Sequence, residues 1–405
     1  MNKTLYKLLF AAFFTALILC ACKNNVQPDN SLQITKDDVI HLDGAFNDNF
    51  LENWEYILLE DDTPEAMLGY VDGLFYDDGL FFVFSDKYSN HASIKVFDST
   101  GHYQHDIGQT GRARNEYIHP IDWAINTWCN EIIVMDNTSF NKRYSYKGEF
   151  LGEAKRQSGG INDGYIGGDI LKCMSDGTMM YYCGLCILPS FDYYMAYPDG
   201  NLGSPFKMTD YHAYCEMDPI EYVRLAGDIG GVMLTSVFAN VKSDTTWLLR
   251  LLDNHIYKVS DDTAQCVANM KFLPEIPYKT KCNYDYENDN KYKGQCIPNY
   301  FYDMKDYLYI WYYSGGEYLF DKASSKMYHM EYDSLDVSIP DIGFPYVYDN
   351  SIIGCVDTWS IQKALKLIDS KDYDHRYSPE VEAFYRKVKD CENPPIIIAH
   401  YRKKQ

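Results

Sequence analysis

Runs of four to seven apolar or aromatic residues, closed by Asp, Gly or Asn, set the rhythm of this chain from residue 54 onward. Runs of that length between turn formers predict β-strands, and helical spacing is scarce. The runs form a repeat. Its first copy has Gly79 to Phe84, then Asp86, then Ile94 to Asp98, a turn at Ser99-Thr100-Gly101, and Tyr103 to Ile107. The second has Glu131 to Met135, Asp136, Lys142 to Tyr146, a turn at Lys147-Gly148, and Glu149 to Leu151. Each copy is a strand, a loop and a hairpin closed by a glycine, the residue that accepts positive φ at no steric cost. Weaker copies run through Asp176 to Gly200, Thr246 to Asp262, Tyr307 to Asp321 and Phe344 to Gly354.

Turns near residues 101, 148, 200, 261 and 323 recur at intervals of 47 to 62 residues. A four-stranded blade with its loops has about this period, so the expected fold is all-β: a six-bladed β-propeller over residues 33–405. Short C-terminal helical insertions interrupt it. Ile361 to Ile368 is apolar at helical spacing, and Ser378-Pro379-Glu380 reads as an N-cap with proline at the first helical position, leading into Val381 to Val388. After Pro394-Pro395, the run Ile396 to Tyr401 predicts a last strand, with Trp54 to Leu59 as its counterpart from the N-terminal end of the chain.

The first 21 residues have a different character. Lys3 and Lys7 precede an apolar run from Leu8 to Leu19, which is shorter than the roughly 20 residues a membrane span needs. That pattern is a signal peptide. Leu19-Cys20-Ala21-Cys22, with a branched residue three before Cys22 and a small one just before it, resembles a bacterial lipobox. The resemblance implies cleavage after Ala21 and a lipid on Cys22; Cys20 is the competing acceptor, and an ordinary secretory peptide is the plainer alternative. Residues 22–32 then read as a polar tether. Acyl chains contribute roughly 0.8 kcal/mol per buried CH₂, so a multiply acylated Cys22 would hold the protein to a membrane.

The formal net charge of −21 becomes −23 without the leader, which holds two Lys and no acidic residue. Such a surface excludes nucleic acid as a partner, since that binding depends on phosphate neutralisation by Lys and Arg. Of 12 cysteines, ten remain once Cys20 and Cys22 are set aside, in a compartment that permits disulfides. Spacing assigns no pairs. Cys183-Gly184-Leu185-Cys186 has redox spacing but follows an apparent strand without a flanking helix, so a local pair fits better than redox or zinc chemistry.

The segment Ile94 to Gly101, followed by Ile107 to Arg112 and Glu116-Tyr117, resembles the six-bladed β-propeller lipoproteins of Bacteroidales, which are similar in turn to NHL-repeat propellers. Asp253 to Val259 and Asn393-Pro394-Pro395-Ile396 look like the same family. Its usual Gly-Pro-Gly before Glu-Tyr is replaced by Ala113-Arg114-Asn115. The resemblance implies a fold and an anchor, and no activity.

A serine elbow, a phosphate loop, a dinucleotide fingerprint and an HExxH helix are all absent from the sequence. No catalytic residue, metal ligand set or cofactor is therefore expected. His102 and His105 lie three apart on a strand and should point to opposite faces. Asp285 to Cys296 has Asn290 and Cys296 where a calcium loop needs Gly and Glu. Candidate ligand-face residues are Arg112, Arg114 and Glu116, in the loop Gly108 to Glu116 that joins one blade to the next; a structural salt-bridge loop is the competing reading. Aromatic residues reach 16% and could stack on sugars, so Trp123, Trp128, Trp247, Trp311 and Trp359 are either core or ligand platforms.

Two functions follow as expectations. The first is an envelope lipoprotein on the outer membrane, facing the periplasm or, as the alternative, the cell surface, whose propeller binds a glycan, peptide or protein. The second is a metal-dependent propeller hydrolase or lyase.

Overall fold

The computed structural model describes residues 31–403 apart from 88, 137, 139, 156–168, 176, 183–192, 197–201, 206–235, 239–241, 244, 250–253, 261–262, 274–297, 313–315, 332–336 and 372. The leader, Cys22, the CxxC and the segment 285–296 lie outside these. The chain divides into two units, Met1–Leu32 and Gln33–Gln405. Among the described residues no helix is long and apolar enough to cross a membrane.

The second unit is mostly β, arranged in six sheets, and each of the six sequence copies falls in its own sheet. In the first, Val71–Asp77, Leu80–Ser85, Ser93–Asp98 and Tyr103–Asp106 pair antiparallel in chain order. The second repeats this with Pro120–Asn126, Glu131–Asp136, Phe140–Ser145 and Phe150–Lys155. The third spans 169–205 in the same order.

The last three sheets each recruit a strand from the N-terminal end. Leu32–Ile34 lies beside Thr263–Met270 in the fourth, and Val39–Leu42 runs parallel to Lys326–Met330 in the fifth. Leu51–Ile57 pairs antiparallel with Ile396–Tyr401 in the sixth. The joining of both chain ends in one sheet was legible in the sequence, although the N-terminal strand begins and ends earlier than expected. The two preceding N-terminal strands were not legible. They are three and four residues long, and neither has the apolar run of a core strand.

Burial explains why the copies read as continuous apolar runs. Phe81, Phe82, Val83 and Phe84 are all buried, as are Ile132, Ile133, Val134 and Met135. A strand buried on both faces does not alternate. Each such ring or branched chain contributes roughly 1.5–3 kcal/mol on leaving water.

Neighbouring sheets supply the cover. Trp123 of the second sheet sits 4.3 Å from Phe75 of the first, and Lys172 of the third reaches the Thr245 carbonyl beside the fourth at 3.4 Å. The first strands of the second and third sheets, Pro120–Asn126 and Asp169–Cys173, are also in contact. The Trp247 N–H of the fourth donates to Asp303 of the fifth at 3.0 Å. Tyr309 and Tyr328 of the fifth share a core with Val347 and Ile352 of the sixth. The sixth returns to the first, where Tyr346 lies 5.2 Å from Phe75.

Both expected helices form between the second and third strands of the sixth sheet. In the first, Thr358–Ile368, Asp357 caps the N-terminus by accepting from the Ser360 N–H at 2.7 Å. In the second, Pro379–Val388, Ser378 is the cap and Pro379 opens the helix. Ile361, Ala364 and Ile368 of one meet Val381, Phe384 and Val388 of the other in a shared core. The sequence reading began the first helix at Ile361 and so missed its cap.

Candidate ligand-binding cleft

The repeated Asp of the sequence is a latch. Asp86 accepts from the Tyr70 N–H at 3.1 Å, and Asp136 accepts from the Ile118 N–H at 2.9 Å. In each case the carboxylate fixes the residues that lead into the first strand of its own sheet. A buried lysine on the third strand fastens the same connection. Lys95 donates to the Glu65 carbonyl at 2.7 Å and Lys142 to the Arg114 carbonyl at 2.8 Å.

Lys142 therefore fixes the loop chosen from the sequence. Glu116 folds back into that loop, accepting from the Ala113 N–H at 2.8 Å and the Gln109 amide at 2.6 Å. Those bonds, the Ala113 one foremost, hold its carboxyl below the ordinary glutamate range. Arg114 pairs with Glu153 at 3.2 Å while remaining largely in water. Arg112 is exposed at the loop's surface. The structure thus places Glu116 in the loop's own hydrogen-bond network and Arg114 against the strand Phe150–Lys155.

The histidines separate as expected. His102 is exposed, and His105 bonds the Tyr146 carbonyl at 2.8 Å. Among the described residues no three His, Cys, Asp or Glu side chains gather as a metal site. Among the described cysteines, those at 129, 173, 355 and 391 are free thiols.

The same kind of connection, one sheet earlier, builds a cleft. Residues 58–70 link the last strand of the sixth sheet to the first strand of the first. They face residues 356–395, the connection between the second and third strands of the sixth. Between them lies an open cleft of about 370 Å³, lined among others by Tyr70, Phe344, Asp357, Trp359 and Glu392. Clefts that hold small ligands begin at roughly this size.

Each wall has a local cause. Gly69 is required because a Cβ there would lie 1.8 Å from Asp86 Oδ2, the carboxylate that holds Tyr70. Phe344 sits in a β-bulge with φ of 50°, a left-handed backbone that costs a phenylalanine roughly 1–2 kcal/mol. Its ring meets that of Tyr70 edge-on at 5.9 Å. Trp359 stands on the first turn of the helix that Asp357 caps, with the Lys363 ammonium 4.8 Å from its ring centre.

Below the cleft, Asn393 joins the walls. Its side chain accepts from the Leu68 N–H at 2.8 Å and donates to the Glu60 and Ala66 carbonyls at 2.5 and 2.9 Å. Cys355 also lines the cleft, but burial pushes its thiol up to about 12, far from a nucleophile's range.

Of the five tryptophans weighed from the sequence, Trp123 is core at 5% exposure. Trp311 stacks on Tyr300, and Trp247 lies under Lys258 and Lys322. Trp128 is partly exposed away from the cleft, and Trp359 is 67% exposed within it. Tyr70, at 64%, is the companion that sequence reasoning missed. One of 38 tyrosines carries no local mark beyond the glycine before it.

None of the curated proteins matches the chain. Among solved structures, a protein of Bacteroides fragilis NCTC 9343 described as exported is similar over 91% of this chain and 100% of its own, with TM-score 0.57 and 14% identity. A member of the DUF4221 family from Bacteroides vulgatus ATCC 8482 covers 88% of this chain and 98% of its own, with TM-score 0.48 and 10% identity. The first likeness concerns the fold. A family model described as Domain of unknown function (DUF4934) matches residues 37–400, nearly the full length, and the chain belongs to that family.

Proposed function

We propose that this chain is an envelope lipoprotein whose six sheets are the blades of a propeller, and that the propeller is a binding module. In this reading residues 1–21 direct export, Cys22 carries the lipid, and residues 22–32 hold the module off the outer membrane, on its periplasmic side. Contacts between successive sheets, including the return from the sixth to the first, support the blade arrangement. The fold-level likeness to an exported Bacteroides protein is compatible with the location.

One observation carries the binding reading. The two most exposed aromatic side chains among the described residues, Trp359 and Tyr70, line the same cleft. Exposed ring surface costs free energy that burial would recover, and a pair of such rings in one concavity supports a ligand site. The ligand is a glycan, a peptide or a protein.

The test uses the full-length protein in detergent on an array of oligosaccharides and peptides, beside a Tyr70→Ala/Trp359→Ala double variant. A ligand retained by the wild type and lost by the variant is the expected result. Ligands bound equally by both would place recognition elsewhere and overturn the assignment of the cleft.

A further inference from the structure

We infer that the cleft takes an uncharged saccharide; this rests on the binding reading above and narrows it. Three features of the lining decide the chemistry. Trp359 and Tyr70 offer exposed ring surface, against which the C–H face of a pyranose can lie. Asp357 and Glu392 offer carboxylates, which when ionised only accept hydrogen bonds. Asp357 engages Ser360 with both oxygens, yet a carboxylate has about four acceptor positions, so capacity remains. Sugar hydroxyls are the donors that match such acceptors, and rings with carboxylates at their margin suit a polyol with one apolar face.

Charge then separates the alternatives. The carboxylates in the lining and a formal charge of −21 on the chain repel an anionic ligand, including a uronic-acid polymer. A basic peptide would satisfy the carboxylates, but a cation seeking the Trp359 ring meets the Lys363 ammonium already 4.8 Å from its centre. An uncharged ligand faces neither repulsion. The strained Phe344 beside Tyr70 fits the same use, because bulges at functional sites re-aim side chains.

The experiment presents neutral hexose and pentose oligosaccharides, uronate oligosaccharides and oligolysine peptides, each up to about 1 mM. Binding is read by titration calorimetry and by the change in tryptophan fluorescence. At least one neutral oligosaccharide should bind. Its affinity should fall roughly tenfold or more in Trp359→Ala and in Tyr70→Ala, and less in Trp359→Phe. Trp128→Ala, whose exposed ring lies away from the cleft, should leave it unchanged. Because Trp359 and Tyr70 are largely in water, unchanged melting temperatures are expected and would separate lost binding from lost fold.

Cleft-dependent binding of oligolysine or uronates alone overturns the saccharide inference and leaves the binding module standing. Failure of every neutral sugar overturns the inference too. If no probe of any class depends on Trp359 or Tyr70, both readings fall.

Discussion

Replacing Asn393 with Asp changes a single atom in the tie that holds the two cleft walls together. The new carboxylate still accepts from the Leu68 N–H, but it loses both donors and faces the Glu60 and Ala66 carbonyls, formerly bonded at 2.5 and 2.9 Å. Asn393 is 1% exposed, so water cannot compensate. The Ala66 carbonyl is left orphaned in a buried place and the Glu60 carbonyl in a partly buried one, and at roughly 1–3 kcal/mol each the loss is about 3 kcal/mol. Only the loss that a proton can repair depends on pH, and it raises the introduced carboxyl above the ordinary aspartate range in the folded state.

The sign follows from linkage. A carboxyl whose folded pKa exceeds its unfolded one favours the fold most below the unfolded value, and that contribution is lost as pH rises through the folded value. The deficit of Asn393→Asp should therefore be full near pH 8 and shrink towards pH 5, where the regained proton restores one donor. Melting followed by circular dichroism should show a fall of about 5 °C near pH 8. Asn393→Ala, which cannot titrate, should show a deficit that does not vary with pH. A deficit below about 1 kcal/mol near pH 8, or one that persists undiminished near pH 5, refutes the assignment of Asn393 as a buried, water-free tie.

Glu317, buried and raised above its ordinary value chiefly by that burial, accepts from the Tyr309 hydroxyl and the Phe46 N–H, both at 2.7 Å. Its contribution is greatest below the unfolded pKa and lost as pH rises through the folded one, so Glu317→Gln should flatten the rise in melting temperature between about pH 7.5 and pH 5; an unchanged slope counts against this. Lys142→Met removes the ammonium that holds the Arg114 carbonyl, a loss of roughly 1 kcal/mol, and should speed tryptic cleavage after Arg112 and Arg114 while cleavage after Lys147 keeps its rate. Cys22→Ser should abolish labelling by an alkyne fatty acid and release the protein from the membrane fraction; retained label would move the acceptor elsewhere.

The sheets were legible because strands covered on both faces advertise themselves as apolar runs, as Phe81 to Phe84 do. The helix around Phe384 was legible for a similar reason: its cap and its opening proline are adjacent in sequence. Partnerships spanning most of the chain were harder to see. His41 meets His329 across 288 positions, and no local pattern encodes that pairing.

The cleft was half visible. The sequence points to one connection between successive sheets, while the cleft lies at another of the same kind, and it offers Trp359 as a possible platform. It cannot reveal which copy of the connection is open. In the loop holding Arg112 and Glu116, the Glu116 side chain closes on the loop's own Ala113 N–H and Gln109 amide. In the one ending at Tyr70, the neighbouring insertion of two helices leaves space. That difference is set by residues more than three hundred positions away, among them Asn393.

The recruitment of N-terminal strands by the last three sheets orders events in time. Residues that leave the ribosome first cannot find their partners until the end of the chain has been made: Tyr401 pairs with Leu51, and Asn47 with the Tyr401 hydroxyl. Contacts of such long sequence separation form slowly. The first three sheets can assemble during synthesis, while the fourth to sixth wait with bare edges that other chains could join. The interval before that final stitch is the period of greatest exposure to chaperones and proteases.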